Sequence, residues 1–222
     1  MRVCSRLFLG LVLLGISVGC GRDSSLPTAD ELVARARSAW AGDWHAVWQV
    51  EWDGAPLRGP LVFETWHAAD GRLRIEILEA PALALDSLVL VDDGAERWLY
   101  STRENDWVSK PNQPARIPLA EDALEMVDWL LLRVPHAALD VSARNVLESG
   151  PAIRLEVVLA DGERATLWVH EATGLPSRVE LHSATWGEPL LATRSISPPG
   201  YLNPGLFVPP VTEVSGVNLY TK

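Results

Sequence analysis

The sequence predicts an α+β protein, mainly β with helices, built on one long and strongly curved antiparallel sheet. The first observation is alternation, because Trp48, Val50 and Trp52 are separated by single polar residues. A period of two gives a strand one apolar face and one polar face. The second observation is that a single helical segment divides two sets of such runs.

The third observation is the turn chemistry between the runs. Asp-Gly pairs tolerate the positive φ that tight hairpin turns require. In the first half of the chain these pairs are Asp53-Gly54, Asp70-Gly71 and Asp93-Gly94. A run between two of them places Leu73, Ile75 and Ile77 on one face. The pattern predicts consecutive hairpins that form a meander.

The amino terminus has the regions of a signal peptide. Arg2 and Arg6 precede an uncharged apolar run at 7–18, which is short for a membrane span. The segment 16–20 resembles the lipobox of bacterial lipoproteins, in which small residues precede a cysteine that becomes the lipidated first residue. We therefore predict a signal peptide at 1–19.

Cys20 is the predicted lipidation site, and residues 20–27 form a short polar tether to the membrane. Ordinary signal cleavage and an uncleaved anchor are the alternatives. Cys4, the other cysteine, would leave with the signal peptide, so the fold has no internal disulfide. About 200 mature residues can form one core, which predicts a single domain at 28–222.

The charge balance limits the partners. The formal net charge is −10, and no basic patch is present to neutralise phosphates. Nucleic acid is therefore not an expected partner. Because acidic surface repels anionic lipid, an acyl anchor rather than charge would hold this protein at a bilayer. The predicted location is extracytoplasmic, as a membrane-anchored lipoprotein of the bacterial cell envelope.

The mature chain begins with a helix. Thr28 and Glu31 form a capping box, and Gly42 ends the helix. Its apolar stripe consists of Leu32, Val33, Ala36, Ala39 and Trp40. The series Trp40, Trp44, Trp48 and Trp52 has a spacing of four, but strand-like alternation from Ala46 onward argues against one continuous helix.

Six strands are predicted next, at 46–52, 59–67, 72–78, 86–91, 97–101 and 106–109. A helix follows from Leu119 to the proline at 135, and it is apolar over most of its circumference. Such a helix is expected to be buried on more than one side, within the concavity of the sheet. Five more strands are predicted at 139–148, 153–160, 163–170, 178–184 and 190–197, before an extended segment at 201–210.

Motifs for chemistry are not found. The five histidines have no metal-ligand spacing, and neither a nucleophile elbow nor a glycine-rich phosphate loop occurs. The sequence therefore predicts no enzyme, no metal site and no cofactor. The ten tryptophans are unusual. They either fill the core or line a wide apolar cavity, where a rigid ring covers much surface at small entropy cost.

Two candidate sites follow from this pattern. The residues expected to line a ligand cavity are Trp48, Val50, Trp52, Leu73, Ile75, Ile77, Trp98, Tyr100 and Leu130. The second site is the apolar connection at 79–85, where Leu83 is either presented at a loop tip that contacts a membrane or packed inward at the start of the fourth strand.

Three strings resemble a known family. They are Asp-Gly-Ala-Glu-Arg-Trp-Leu-Tyr at 93–100, Thr-Gly-Leu-Pro-Ser-Arg-Val-Glu at 173–180 and Gly-Leu-Phe-Val-Pro-Pro at 205–210. Their order, with an opening helix and a helical insertion, resembles the bacterial lipoprotein carriers LolA and LolB and the RseB-type sensor domains. The resemblance implies an unclosed β-barrel around helices, with an apolar cavity for acyl chains and no catalysis.

Two functions stay open at this point. The first is an anchored protein that binds lipid or the acyl chains of a lipoprotein, and the predicted lipid anchor makes it more similar to LolB than to the soluble LolA. LolB-like receptors also carry an exposed leucine on the loop that corresponds to Leu83. The alternative is an RseB-like sensor or interaction module that contacts another envelope protein.

Overall fold

The computed structural model describes residues 26–53, 60–80, 85–109, 115–134, 139–158, 164–182, 188–197 and 202–208. The helices are α1 (Ala29–Trp40) and α2 (Ala120–Leu132). The strands of the first half are β1 (Trp44–Asp53), β2 (Leu61–His67), β3 (Leu73–Glu79), β4 (Leu88–Asp92), β5 (Arg97–Ser101) and β6 (Asp106–Ser109). Those of the second half are β7 (Leu139–Leu147), β8 (Gly150–Val158), β9 (Arg164–His170), β10 (Pro176–His182) and β11 (Glu188–Ser197).

All eleven strands belong to one antiparallel sheet, in the order β6-β5-β4-β3-β2-β1-β11-β10-β9-β8-β7. Each half of the chain is a meander of neighbouring hairpins, and β1 and β11 join the two halves at the centre of the sheet. Within the described residues β6 and β7 each pair on one side only, so the barrel is unclosed. The predicted fold class is therefore confirmed.

The strand register defines one face of the sheet, here called the inner face. Residues directly opposite each other in an antiparallel pair point to the same side. Along one row Ala46 is opposite Thr65, which is opposite Ile75, and the row continues through Leu90 to Leu99. These side chains are buried, and the apolar ones belong to the main hydrophobic cluster.

The inner face continues into the second half of the sheet. Val50 is opposite Leu191, which is opposite Val179, and the row runs on to Leu167 and Leu155. Val50, Val179, Leu167 and Leu155 are members of the same hydrophobic cluster as Ile75 and Leu90. One apolar surface therefore crosses the join between β1 and β11.

Helix α1 begins as its sequence predicts. The Thr28 backbone N–H donates to Glu31 Oε2 at 2.9 Å, and the Glu31 N–H donates to Thr28 Oγ1 at 3.3 Å. This capping box satisfies two backbone donors at the start of the helix. Leu32, Val33, Ala36 and Trp40 are buried in the hydrophobic cluster. The stripe thus packs α1 onto the inner face.

Helix α2 also covers the inner face, but it is not buried on all sides. The residues that it contributes to the cluster are Ala120, Ala123, Leu124, Val127, Leu130 and Leu131. Trp129, which contributed to the apolar circumference of the helix in the sequence, is 37% exposed, and Leu132 is 60% exposed. Helix α2 is therefore buried toward α1 and the sheet and exposed where Trp129 and Leu132 lie.

Two polar contacts join α1 to α2. Trp40 Nε1 donates to Asp128 Oδ1 at 2.6 Å, and Arg37 Nε donates to the carbonyl oxygen of Leu131. The second contact satisfies a carbonyl in the last turn of α2, where the helix itself leaves such groups unpaired. The helices therefore form a connected pair above the sheet.

The carboxyl-terminal segment covers the opposite face, here called the outer face. A 3-10 turn at Pro204–Phe207 replaces part of the extended segment predicted there, because Asn203 caps it by accepting from the Gly205 N–H at 3.0 Å. Phe207 is buried, and the Arg72 guanidinium lies 4.7 Å from the centre of its ring. Arg74 Nη1 donates to the Leu206 carbonyl at 3.3 Å. The turn thus contacts β3 through Arg74 and the residue just before β3, Arg72.

Two of the predicted Asp-Gly turns can be checked. Gly71 and Gly94 have φ angles of 90° and 88°, which is the positive region that these turns require. The pair at 53–54 extends beyond the described residues. So do the predicted signal peptide and most of the tether, while no helix in the described part of the chain has the length and apolarity to cross a bilayer.

Candidate functional site

Aromatic side chains fill one end of the inner face. Trp40 and Trp44 stack with their ring centres 4.5 Å apart, and Trp48 meets both edge-on at 6.1 Å and 6.2 Å. His67 stacks on the other side of Trp44 at 5.2 Å. The spacing of four along the sequence is not a helical ladder, since α1 ends at Trp40 and β1 begins at Trp44, yet the three rings do pack together.

Most of the residues predicted to line a cavity lie on this inner face. Trp48, Val50, Ile75, Ile77 and Leu130 are all buried members of the main hydrophobic cluster. Leu73 is half-buried and packs against the same cluster. The structure thus brings these six side chains to one surface between the sheet and α2, while ligand binding there stays a prediction.

Trp98 and Tyr100 lie on the outer face, so their assignment to the cavity side was wrong. Leu99 is opposite Leu90 on the inner face, which turns both of its neighbours outward. Tyr100 is buried there, and its hydroxyl donates to Asn105 Oδ1. The sequence could not distinguish the two sides, because Trp98, Leu99 and Tyr100 are consecutive large apolar residues without a polar one between them.

Three other predicted site residues cannot be placed. The backbone of Trp52 lies in β1 opposite Pro189, but its side chain is outside the described set. Cys20 and Leu83 fall outside the described residues altogether. Their roles remain predictions.

An opening lies at the end of β3, next to the connection that contains Leu83. It is a shallow, open depression of about 580 Å³ lined by Ile77, Leu78, Glu79, Ala80, Asp86, Ser87 and Thr102. Ile77 and Ala80 also belong to the hydrophobic cluster, whereas Leu78 is 47% exposed. At this depression two members of the hydrophobic cluster therefore come next to solvent-facing residues.

A buried carboxylate attaches the start of α2 to the sheet. Glu121 Oε1 accepts from Arg97 Nη1 at 2.7 Å, and Glu121 Oε2 accepts from the Ile117 backbone N–H at 2.6 Å. Burial raises the pKa of Glu121, and the Ile117 N–H and Arg97 only partly oppose this effect. From the sequence, Glu121 was an acid placed favourably at a helix start, and nothing indicated its long-range partner.

The turn before α2 has an unusual backbone. Leu119 has φ of 68° and ψ of −45°, and the Ala120 N–H donates to the Pro118 carbonyl at 2.8 Å. This is the geometry of a γ-turn with positive φ, which is rare and strained for a residue other than glycine. Asp122 Oδ2 supports it by accepting from the Leu119 N–H at 2.9 Å. Helix α2 thus begins at a point where strain is stored.

The part of the chain that the structure describes contains no candidate metal site. No group of three or more His, Cys, Asp or Glu side chains there is arranged to hold an ion. What the described site offers is an apolar surface, an opening and a helix that covers the surface.

Comparison with known proteins identifies the fold. No protein-family model matches the sequence, and no curated protein matches it either. An uncharacterized conserved protein from Thermus thermophilus aligns with a TM-score of 0.52 and 16% identity, over 81% of this chain and 91% of that one. MucB aligns with a TM-score of 0.52 and 15% identity, over 79% of this chain and 60% of MucB.

A LolA superfamily protein from Nitrosomonas europaea, NE2245, also matches, with a TM-score of 0.37 and 11% identity over 83% of this chain and 99% of that one. The chain spans about 60% of the length of MucB. At these identities the similarity concerns the fold, and it is carried by the two structures at 0.52. The predicted resemblance is confirmed at the level of the fold, which this chain shares with MucB and with the Thermus thermophilus protein.

Proposed function

We propose that this protein binds lipid, or the acyl chains of a lipoprotein, on the inner face of its unclosed barrel. The observation that carries the proposal is the apolar surface that runs from Leu99 to Leu155 across both halves of the sheet. Apolar area of this extent needs a cover. In the described structure α1 and α2 supply it, and Ile77 and Ala80 at its edge also line the opening beside Leu78.

Helix α2 is the cover that a ligand would displace. Its buried side chains occupy the same cluster as Ile75 and Ile77, so an acyl chain bound against those residues takes the place of α2. Strain at Leu119 lowers the cost of moving the helix, since displacement releases the turn. Trp129 and Leu132 are already exposed on its far side and can contact the ligand or a bilayer.

The location is part of the proposal. Lipidation of Cys20 would place the domain at a membrane of the cell envelope, on its extracytoplasmic side. The short tether at 20–27 would then keep the opening within reach of lipid or of an incoming lipoprotein. Binding rather than catalysis is the proposed activity.

A dansyl-labelled undecanoic acid tests the binding directly. The buried tryptophans are energy donors, so saturable transfer from Trp to dansyl is expected for the parent protein. Leu78→Asp, at the opening, should weaken binding by about tenfold with little change in melting temperature, because Leu78 is 47% exposed. Val158→Asp is the matched control, since Val158 is 59% exposed and lies on β8, outside the lining of the opening.

The outcomes separate clearly. Saturable binding that Leu78→Asp weakens and Val158→Asp preserves supports the proposal. Ile75→Asp should then weaken binding beyond its effect on folding. A folded parent protein that shows no saturable binding, and that carries no lipid detectable by mass spectrometry after native extraction, would overturn it.

The second candidate function is an interaction module for another envelope protein. It is supported by the fold shared with MucB, a protein that has also been solved in complex with MucA. Such a module would keep α2 on the inner face. It predicts no probe binding by the folded protein, so the same titration distinguishes the two candidates.

A further inference from the structure

Two buried polar groups on the inner face have no hydrogen-bond partner among the described residues. They are Trp48 Nε1 and Thr65 Oγ1. Trp48 is 1% exposed and Thr65 is not exposed at all. Buried polar groups are almost always paired, so an exception in a folded protein requires an explanation.

The neighbouring tryptophans differ from Trp48, because their indole N–H groups are hydrogen-bonded. Trp44 Nε1 donates to the Trp40 carbonyl at 2.9 Å, and Trp40 Nε1 donates to Asp128 Oδ1 at 2.6 Å. Of the three tryptophans packed together, two have satisfied their indole donors within the fold. The third, Trp48, is the one that was predicted to line the ligand cavity.

The two residues are diagonal neighbours on adjacent strands. Trp48 is opposite Phe63, and Thr65 lies two residues further along β2 on the same inner face. Such diagonal neighbours are about 7–8 Å apart between Cα atoms, within reach of a large side chain. On these strands Val50 and Leu61 lie beyond Trp48, and His67, whose Nδ1 is hydrogen-bonded to the Gly42 carbonyl oxygen, lies beyond Thr65.

The donor types restrict the ligand. An indole N–H can only donate, and a threonine hydroxyl can donate as well as accept. A carbonyl oxygen has two lone pairs and can accept from both. A carboxylate would enter this site as a buried charge, and the described inner-face residues of β1 and β2 include no arginine or lysine to pair with it.

We propose that Trp48 Nε1 and Thr65 Oγ1 bind the ester carbonyl of an acyl chain. This rests on the proposed function, because it assigns the linkage that the inner face recognises in the lipid bound there. An ester carbonyl is neutral and directly attached to the chain, so it can be buried with it. The acyl ester of a phospholipid and that of a lipoprotein's acylated glyceryl group share this chemistry.

Competition against the dansyl probe tests the assignment. Palmitoyl lysophosphatidylcholine and its hexadecyl ether analogue differ by one carbonyl oxygen. The ester should displace the probe about five- to tenfold more effectively from the parent protein, as expected for one buried hydrogen-bonded group. Thr65→Val and Trp48→Phe should each bring the ratio of ester to ether displacement toward one. This ratio is compared within each variant, so a general change in affinity for the acyl chain cancels.

Thr65→Val is the decisive variant, because it keeps the shape and removes only the orphan hydroxyl. Its melting temperature should be equal to that of the parent or higher. Trp44→Phe is the matched control, since it loses an indole donor that the fold already satisfies. It should lower the melting temperature and keep the preference for the ester.

The results separate this inference from the proposed function. Equal displacement by ester and ether, or a preference that survives in Thr65→Val, overturns the ester assignment while lipid binding stands. No probe binding at all overturns both. A dipalmitoylglyceryl cysteine peptide and its ether analogue form a second arm, and the source that shows the larger ester preference is the one the site serves.

Discussion

At the scale of single residues, the fold changes the pKa of Glu121, and this change makes stability depend on pH in a way that can be measured. It is buried where α2 meets β5, and burial raises its pKa above the usual value of a glutamate. A native state that holds a proton more tightly than the unfolded chain becomes more stable as the pH falls through that interval. Glu121 therefore contributes stability in acid and loses this contribution as the pH rises through its raised pKa.

Replacement of Glu121 by Gln should flatten this dependence. We expect the free energy of unfolding of the parent, relative to that of Glu121→Gln, to increase as the pH falls from neutrality through the raised pKa of Glu121. Denaturant unfolding at several pH values measures it. Glu148→Gln, at an exposed position, is the control and should follow the parent. Parallel pH profiles for the parent and Glu121→Gln would contradict the prediction.

Residue-level prediction succeeded where the pattern was unambiguous. Alternation placed Trp48, Val50, Ile75 and Ile77 on one face, because the polar residues between them, Gln49 and Glu76, fix the parity of each strand. It failed for Trp98 and Tyr100, where three consecutive large side chains leave the parity open. No local sequence pattern tells whether a hydroxyl or an indole N–H finds a distant hydrogen-bond partner. The unpaired Trp48 Nε1 and Thr65 Oγ1 were therefore found only in the structure.

At the scale of elements, the connection between β3 and β4 combines apolar sequence with proximity to the opening. Ala80 is buried in the hydrophobic cluster, and Leu85 is half-buried against it. Strand β4 starts at Leu88 rather than at the predicted residue 86, because Ser87 has a φ of 68° that a strand cannot continue through. Leu85 thus packs inward without belonging to the strand.

A substitution of Leu83 tests the two positions predicted for its side chain. If Leu83 is presented at the loop tip, Leu83→Glu should leave the melting temperature nearly unchanged and weaken binding to liposomes. If it packs inward, the same change should cost about 2–5 kcal/mol of unfolding free energy. Measuring melting and liposome binding of the same variant decides between them. The membrane-contact role is abandoned if the variant unfolds readily or binds liposomes like the parent.

At the scale of the whole molecule, the predicted arrangement is a folded domain on a short acylated tether. The formal charge of −10 gives the domain no attraction to anionic lipid. The membrane association of this protein should therefore depend on one covalent anchor. A single acyl chain binds only marginally, so stable anchoring needs more than one chain on the cysteine.

Cys20→Ser should release the protein from the membrane fraction. The serine cannot be lipidated, and the acidic domain offers no compensating charge. Fractionation of cells that express the parent or the variant measures the effect. Cys4→Ser is the matched control, because Cys4 lies within the predicted signal peptide and its loss should not change the distribution. If Cys20→Ser stays as firmly bound as the parent, the lipoprotein assignment is wrong.

The parts of the fold that depend on contacts between consecutive segments could be predicted from the sequence, whereas those that depend on contacts between distant segments could not. Hairpin neighbours were legible because strand, turn and strand are consecutive, as in β3 and β2 around Gly71. The pairing of β1 with β11 has no such local signal, and the sequence did not predict it. The covering helices were predicted from their caps and stripes, but the contacts between them depend on positions that no sequence spacing encodes.

The pairing of the first strand with the last also fixes an order of events during folding. His45 is opposite Ser197, so this contact cannot form until the chain as far as β11 has been synthesised. Each meander needs only local loop closures, whereas long-range pairing slows folding. Until β11 arrives, the free edge of β1 is a template for pairing with other chains. The last strand is therefore both the slow step of folding and the protection of the first one.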